Sequence, residues 1–534
     1  MTEPCTSLPD LTANTSNTGD QTVTLLPHQI SHFNKLKKVI NSNLSYIDCS
    51  PTGAGKTMVT IKIAYDLGMR LLVISPASLC KMWINTANKY GVEVVDAISY
   101  DKLRGTKKGC NHDYLERIDY EDKPLYRSTA HLIGLMQKGP IMLVLDEAQR
   151  FKNKGTATVE AVHCLSLAFK NYYENTSDEG IFSRIAVLSA SPFDKVIHAF
   201  QIIRCMGLVT ETVLSNHDLP TNSHDLAGFL DVISSCKAID PKLTKSVSGS
   251  ISSQSSIKDI RENVFKLYSD VIRPNLGSAM SVDRIGDYKN GFYITHPEAL
   301  KRVKKGLIAL AHAVRYEGGE VEMSADSIGA IIKALVVIER AKLGLLIRLA
   351  SQTIIDTPNS KVVIFVTYKT SFVILKEHLK KYGVSILNGN VPMKKRDGIV
   401  ATFQAPNNDV RVIICHPIVG GVGLSLDDQH GGFPRHVFIM PSYNFIDLYQ
   451  ACGRVDRSLT KSVPYIRFVY VLGAELEMMI INALARKSAV SRNASQSTEV
   501  YPGEFESYSE SHILEILFSA FEQMKEDSKG DESG

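Results

Sequence analysis

Short apolar runs closed by loops recur along the chain, and each is followed by a stretch with helical periodicity. In the first part these runs are Leu44–Cys49, Leu71–Ser75, Ile141–Asp146 and Ile185–Ser189. An apolar run of this length, ended by Gly, Pro or polar residues, reads as a buried strand. Its alternation with helices predicts a parallel sheet with crossover helices. The pattern changes after about residue 208. Ser246–Ser256 is Ser-rich, while Ala299–Arg315 and Ser327–Leu349 carry helical periodicity, so a helical insert is expected over 209–355. Strand signals return at Lys361–Val366, Val384–Leu387, Val410–Cys415, Arg435–Met440 and Ile466–Val471, which predicts a second α/β domain. The expected organisation is a disordered leader (1–22), a first α/β domain (23–208), the insert (209–355), a second α/β domain (356–488) and a partly disordered C-terminal extension (489–534). A terminal helix is expected at His512–Met524.

The 534 residues suffice for two or three domains. The formal charge of +4 is mildly basic, which permits a polyanionic partner in a cleft but does not require one. The nine cysteines include no CxxC pair, so neither a zinc site nor a disulfide framework is expected. No signal pattern and no apolar run of about 20 residues is present. The expectation is an intracellular, soluble protein without a membrane partner.

Three segments carry chemistry. After the first strand the chain reads Ser50-Pro51-Thr52-Gly53-Ala54-Gly55-Lys56-Thr57. Gly53 and Gly55 let the backbone curl so that successive N–H groups face one anion. Lys56 adds a point charge for the β and γ phosphates, and the Thr57 hydroxyl can ligate Mg²⁺. The helix that opens there aims its N-terminal dipole at the same phosphates. Next, Asp146-Glu147-Ala148-Gln149 ends an apolar strand. Two carboxylates at that edge predict a cation site, with Asp146 holding Mg²⁺ through water and Glu147 deprotonating the attacking water. Finally, Gln450-Ala451-Cys452-Gly453-Arg454-Val455-Asp456-Arg457 sets two arginines three apart, on one face of a helical turn. Guanidinium forks there suit the charge that develops on a transferring phosphoryl group.

In this order the segments resemble the motifs of superfamily-2 helicases and translocases over about 26–485. Leu26-Pro27-His28-Gln29 resembles the adenine-reading entry motif, with Gln29 as the implied base contact. Val73–Leu79 followed by Trp83, Ser99–Leu103, and Asp146–Asn153 (DEAQRFKN) are similar to motifs Ia, Ib and II of Swi/Snf-type ATPases. Ser189-Ala190-Ser191 resembles the coupling motif III, Ile364-Phe365 the start of motif IV, and Gly420–Leu426, with Gly423 as a nucleotide contact, motif V. Ser425-Leu426, Asp428, Gly432, Pro434-Arg435 and Pro441-Ser442 resemble the Swi/Snf-like enzymes of large DNA viruses and phages. Two departures stand out: Gln149 replaces the more common His, and Cys415-His416 precede motif V where Ser or Thr is common.

The resemblance implies two RecA-like P-loop NTPase domains with parallel sheets, plus the helical insert, and a site needing ATP and Mg²⁺. Catalytic roles fall to Lys56, Asp146, Glu147, Gln149, Gln450, Arg454 and Arg457. It also implies a nucleic-acid partner, DNA sooner than RNA, with candidate backbone contacts at Ser78, Lys81, Tyr100, Thr367 and Lys369. Lys394-Lys395-Arg396 reads as a solvated helix face, and Trp83 as a core residue sooner than a base-stacking one. The Swi/Snf-type motifs imply movement along a duplex sooner than unwinding of DNA, no strand-splitting hairpin is legible, and an RNA-directed ATPase is the alternative.

Overall fold

In the computed structural model of the protein, the apolar runs lie side by side in two parallel sheets. The structure describes residues 23–120, 123–176, 183–209, 221–248, 256–317, 320–322, 325–420 and 424–495. In chain order the strands are β1 (Ser45–Asp48), β2 (Arg70–Ser75), β3 (Val94–Ser99), β4 (Leu115–Tyr120), β5 (Lys123–Ser128), β6 (Ile141–Asp146), β7 (Arg184–Leu188), β8 (Gly277–Ser278), β9 (Asp287–Tyr293), β10 (Arg315–Glu317), β11 (Glu320–Glu322), β12 (Lys361–Phe365), β13 (Val384–Leu387), β14 (Val412–Cys415), β15 (Arg435–Ile439) and β16 (Tyr465–Val471). One sheet runs β3-β2-β6-β7-β1-β8 and the other β13-β14-β12-β15-β16-β9. Every pairing within each is parallel. Parallel sheets are covered on both faces, which is why β6 and β7 are buried at every position.

The segment 209–355 is helical for much of its length but is shared between the two lobes. Phe229, Val232, Ile260, Val264 and Leu276 join the apolar core of the first lobe. Val303, Leu307, Ile338, Leu346 and Ile354 join that of the second. Between these halves the segment adds a strand to each sheet, β8 beside β1 and β9 beside β16. Neither was legible as an apolar run: β8 has two residues, and β9 reads Asp-Tyr-Lys-Asn-Gly-Phe-Tyr, the composition of a wet edge. The helix Ala325–Asp356 is fastened to the second lobe by the buried pair Lys342–Glu477. Leaving either charge unpaired there would cost about 3–5 kcal/mol.

Two further features differ from the sequence reading. β4 and β5 form an antiparallel hairpin, tied to the preceding turn by the Tyr126 hydroxyl, which donates to the Arg104 carbonyl (2.6 Å). The helix Met478–Ser495 runs past residue 488, and Ala494 packs into the first lobe's core. The expected leader and the expected helix His512–Met524 lie outside the described residues. No described helix is long and apolar enough to cross a membrane.

Candidate nucleotide site and nucleic-acid cleft

β1 delivers the chain into the loop Ser50–Gly55, and the helix Lys56–Asp66 leaves it. Gly53 (φ +82°) and Gly55 (φ +97°) occupy left-handed conformations that side-chain-bearing residues avoid. Lys56 Nζ donates to the Ser50 and Pro51 carbonyls (2.8 and 3.1 Å), closing the loop on itself. Ser50 is a brace more than a phosphate contact: its side chain is fully buried, and its hydroxyl accepts from the Met280 N–H (2.9 Å). Beneath it Asp48 accepts from the Ser50 N–H (2.9 Å) and pairs with His32 (3.0 Å). Burial works to raise the Asp48 pKa, but the His32 charge and hydrogen bond, with Lys56 and Ser50, hold it below the usual range. Gln29 is buried, and both ends of its amide are used: Oε1 accepts from the Leu26 N–H (2.9 Å) and Nε2 donates to the Ala54 carbonyl (3.0 Å). It therefore props the loop through both ends of its amide, which still has a second N–H and a second lone pair by which to meet a base.

Asp146 closes β6, and Glu147 follows with φ 59°, a left-handed conformation that costs a non-glycine residue about 1–3 kcal/mol. Two residues assigned to motifs Ia and Ib hold Asp146. The Trp83 indole N–H donates to its Oδ2 (2.8 Å), and the Tyr100 hydroxyl to its carbonyl (2.6 Å). Trp83 is fully buried and Tyr100 is 6 % exposed. Trp83 is thus the core residue expected, and Tyr100, expected as a nucleic-acid contact, spends its hydroxyl on the Asp146 carbonyl. Burial, then the Glu147 charge, pushes the Asp146 pKa upward. A divalent cation would remove that penalty, so the carboxylate pair fits Mg²⁺, with the Thr57 hydroxyl as the other candidate ligand.

Glu147 Oε2 accepts from Gln149 Nε2 (2.7 Å) in its own lobe and from Gln450 Nε2 (2.9 Å) in the other. Gln149 Oε1 in turn accepts from the Ser189 hydroxyl (2.6 Å), and the Ser191 N–H donates to Ser189 Oγ (3.2 Å). Ala190 packs into the apolar cluster of the second lobe. An amide supplies the donor and acceptor this bridge needs, as a neutral imidazole does. We expect Gln149→Ala to lower nucleic-acid-stimulated ATP turnover about tenfold, the loss of one charge-assisted hydrogen bond, and Gln149→His to recover most of it. Steady-state kcat for both variants checks this. Equal loss in both would contradict the bridge.

The helix Phe445–Cys452 brings Gln450, Gly453, Arg454 and Arg457 to the first lobe. Gly453 lies so near that a Cβ there would stand 1.9 Å from Thr52 Oγ1. A Cβ on Gly53 would touch Arg457 Cγ and Nε at 3.7 Å. Arg457 Nη1 donates to the Ser425 hydroxyl, and its buried Nε has no hydrogen-bond partner. Arg454 is buried too. Desolvation, then the Arg457 charge, lowers its pKa to about 10, which leaves it cationic at neutral pH. Ser425 is positioned by the stretch that follows: Arg435 Nη2 donates to Gln404 Oε1 (2.8 Å), and Gln404 Nε2 to the Ser425 carbonyl (2.7 Å). Gly423 lies outside the described residues. An orphaned guanidinium N–H, a second buried arginine, the Lys56 ammonium and a glycine-curled loop fit a triphosphate.

A second cleft crosses the lobe boundary. Ser78, Arg104 and Arg150 line it from the first lobe and Met393, Arg396 and Ile418 from the second. Among the expected contacts Ser78 and Tyr100 lie in this lining. Lys81 is exposed but outside it, and Thr367 and Lys369 stand at the end of β12, where the Thr367 N–H donates to Glu339 (2.9 Å). Arg396, read as part of a solvated face, turns to the cleft. Arg104, Arg150, His32, Asp48 and Arg284 (below) are the residues sequence reasoning missed.

Comparison with known proteins gives four findings. The family model "Helicase conserved C-terminal domain" matches residues 342–458. A chain of Acanthamoeba polyphaga mimivirus named "Putative ATP-dependent RNA helicase L364" is 24 % identical over 495 residues, covering 90 % of this chain and 86 % of that one. The mouse "DNA repair and recombination protein RAD54-like" is 23 % identical over 474 residues, covering 82 % of this chain and 61 % of its own. Among solved structures, the Sulfolobus solfataricus SWI2/SNF2 ATPase core in complex with dsDNA aligns with 90 % of this chain and 95 % of its own, at 16 % identity and a TM-score of 0.30.

Proposed function

Since the chain belongs to the Swi/Snf-like superfamily-2 helicases and translocases, and is an ATP-hydrolysing motor that works on nucleic acid, we propose that its track is duplex DNA and that it moves without parting the strands. The observation that carries this reading is where the aromatic side chains beside the cleft point. Proteins that grip single strands stack bases on exposed rings. Here the Trp83 indole and the Tyr100 hydroxyl are spent inside the protein on Asp146. The cleft offers Arg150 and Arg396 instead, with Arg104 paired to Asp101 (2.8 Å) beside them, and arginines are suited to phosphates and indifferent to sequence. The name of the RAD54-like relative also supports DNA. The RNA-directed alternative is favoured by the name of the mimivirus relative.

In this reading Lys56 and the loop N–H groups hold the phosphates. Thr57 and Asp146 would hold Mg²⁺, whose charge offsets that of the phosphate oxygens. Glu147 takes the proton from the attacking water, with Gln149 and Gln450 fixing its orientation. Arg454 and Arg457 come from the other lobe, so hydrolysis requires closure. Opening and closing shift Arg396 relative to Arg104 and Arg150, which turns hydrolysis into a step along the backbone.

Displacement of a third strand from a triplex, set beside strand release from a plain duplex, tests the proposal. ATP-dependent triplex displacement without strand release is expected. Strand release from the duplex, or ATPase stimulation by RNA alone, would overturn it. Duplex affinity should fall steeply with salt, and Arg396→Ala should reduce the magnitude of the log–log slope by about one. A titration at several salt concentrations reads this, and an unchanged slope would remove Arg396 from the interface.

A further inference from the structure

The chain crosses from one lobe to the other only a few residues from the nucleotide site. β8 pairs with the end of β1, Asp48 opposite Ser278, and the Cys49 N–H donates to the Ser278 carbonyl (2.8 Å). Two residues on, the Met280 N–H reaches the Ser50 hydroxyl. Nine residues after Ser278, the chain enters β9 on the far edge of the second sheet. Met280–Gly286 therefore form a strap whose two ends are stitched into different lobes.

Arg284 lies in the middle of this strap. Its Nη2 donates to both the carbonyl and the hydroxyl of Thr52 (3.3 Å each), in the phosphate loop. Its Nη1 donates to the carbonyl of Asp456, the residue immediately before Arg457. The strap also holds the Asp456 carboxylate: the Gly286 N–H (3.2 Å) and the Tyr288 hydroxyl (2.8 Å) both donate to Oδ2. Gly286 is required by this approach, because a Cβ there would stand 2.5 Å from that oxygen. One guanidinium fork thus spans the loop that holds the phosphates and the segment that carries the arginine pair. Arg284 also adds a third positive charge to this cluster: burial above all, with Arg284 as a smaller contributor, disfavours the charged forms of Arg454 and Arg457. Three converging guanidinium groups repel one another unless an anion lies among them.

We infer that Arg284 is a positioning residue for ATP hydrolysis, a clamp on the interlobe strap that sets Arg454 and Arg457 against the phosphate loop when a polyanionic nucleotide brings the lobes together. This rests on the ATP site proposed above. A lysine at this position keeps the charge but cannot reach Thr52 and Asp456 at once as a fork does.

The test uses the full chain, with ATP turnover at saturating duplex DNA, affinity for a fluorescent ATP analogue, and thermal melting. Arg284→Ala is expected to lower kcat about tenfold, the loss of charge-assisted hydrogen bonds to two partners, with KM and analogue affinity moving less than about threefold. Arg284→Lys should recover only a small part of kcat, with melting as in the unaltered protein. Unchanged kcat in Arg284→Ala, full recovery by lysine, or a loss of kcat that tracks a lower melting temperature would overturn the inference. Lys56→Ala separates the two levels. Loss of turnover in that variant beside normal kcat in Arg284→Ala rejects the clamp alone, while retained turnover in Lys56→Ala rejects the site and the clamp together.

Discussion

Arg457→Ala is expected to lower nucleic-acid-stimulated ATP turnover by about 10³-fold or more, the range for loss of a guanidinium that meets the charge on a transferring phosphoryl group. The geometry behind this is specific. The Arg457 side chain faces Gly53, its Nε is buried without a partner, and Ser425 holds one Nη. A donor left unmade in a buried site costs free energy, so its retention points to an acceptor that arrives with the substrate. The loop that would hold the phosphates belongs to the other lobe and is untouched by the change. Affinity for a nonhydrolysable ATP analogue should therefore fall far less than kcat. Single-turnover kinetics with an affinity titration would show the split. Parallel loss of affinity and rate would make Arg457 a ground-state anchor instead.

Glu147→Gln is expected to lower turnover by about 10²–10⁴-fold, the usual contribution of a positioned proton acceptor. Gln is nearly isosteric with Glu, and its amide oxygen can still accept from Gln149 or Gln450. What disappears is the capacity to take a proton. The variant should bind ATP and duplex DNA and hold the closed state, so trapping of the ternary complex is expected along with the rate loss. Turnover close to that of the unaltered protein would remove Glu147 from the role of base.

The three chemistry-bearing segments were legible because their chemistry needs contiguous residues. A glycine-curled loop, adjacent carboxylates at a strand end and arginines three apart are local patterns, and the fold brings them together over some 400 residues of sequence separation. The central strands were legible for a similar reason, since burial on both faces demands unbroken apolar runs. The remainder depends on long-range partners. His32 and Asp48 form one buried pair, and neither neighbourhood announces the other. Arg284 is a single arginine in a stretch without motif, and its meaning comes from Thr52 and Asp456, 232 and 172 residues away. β9 is a polar edge and offers no pattern to read. The motif that holds Tyr100 suggests a backbone contact, and nothing local reveals that its hydroxyl meets the Asp146 carbonyl. That same link, with Trp83 on Oδ2, joins the cleft-facing segments to the Mg²⁺ candidate.

A nucleic-acid track that drives assembly of an ATP site shared by two lobes must set the rate of hydrolysis. The most direct measurement is the steady-state rate of ATP hydrolysis by the full chain as duplex DNA is titrated at saturating ATP. A low basal rate that rises to a plateau with duplex DNA is expected, with no rise in Arg457→Ala. A rate indifferent to nucleic acid, or a full rise without the second lobe's arginine, would contradict it.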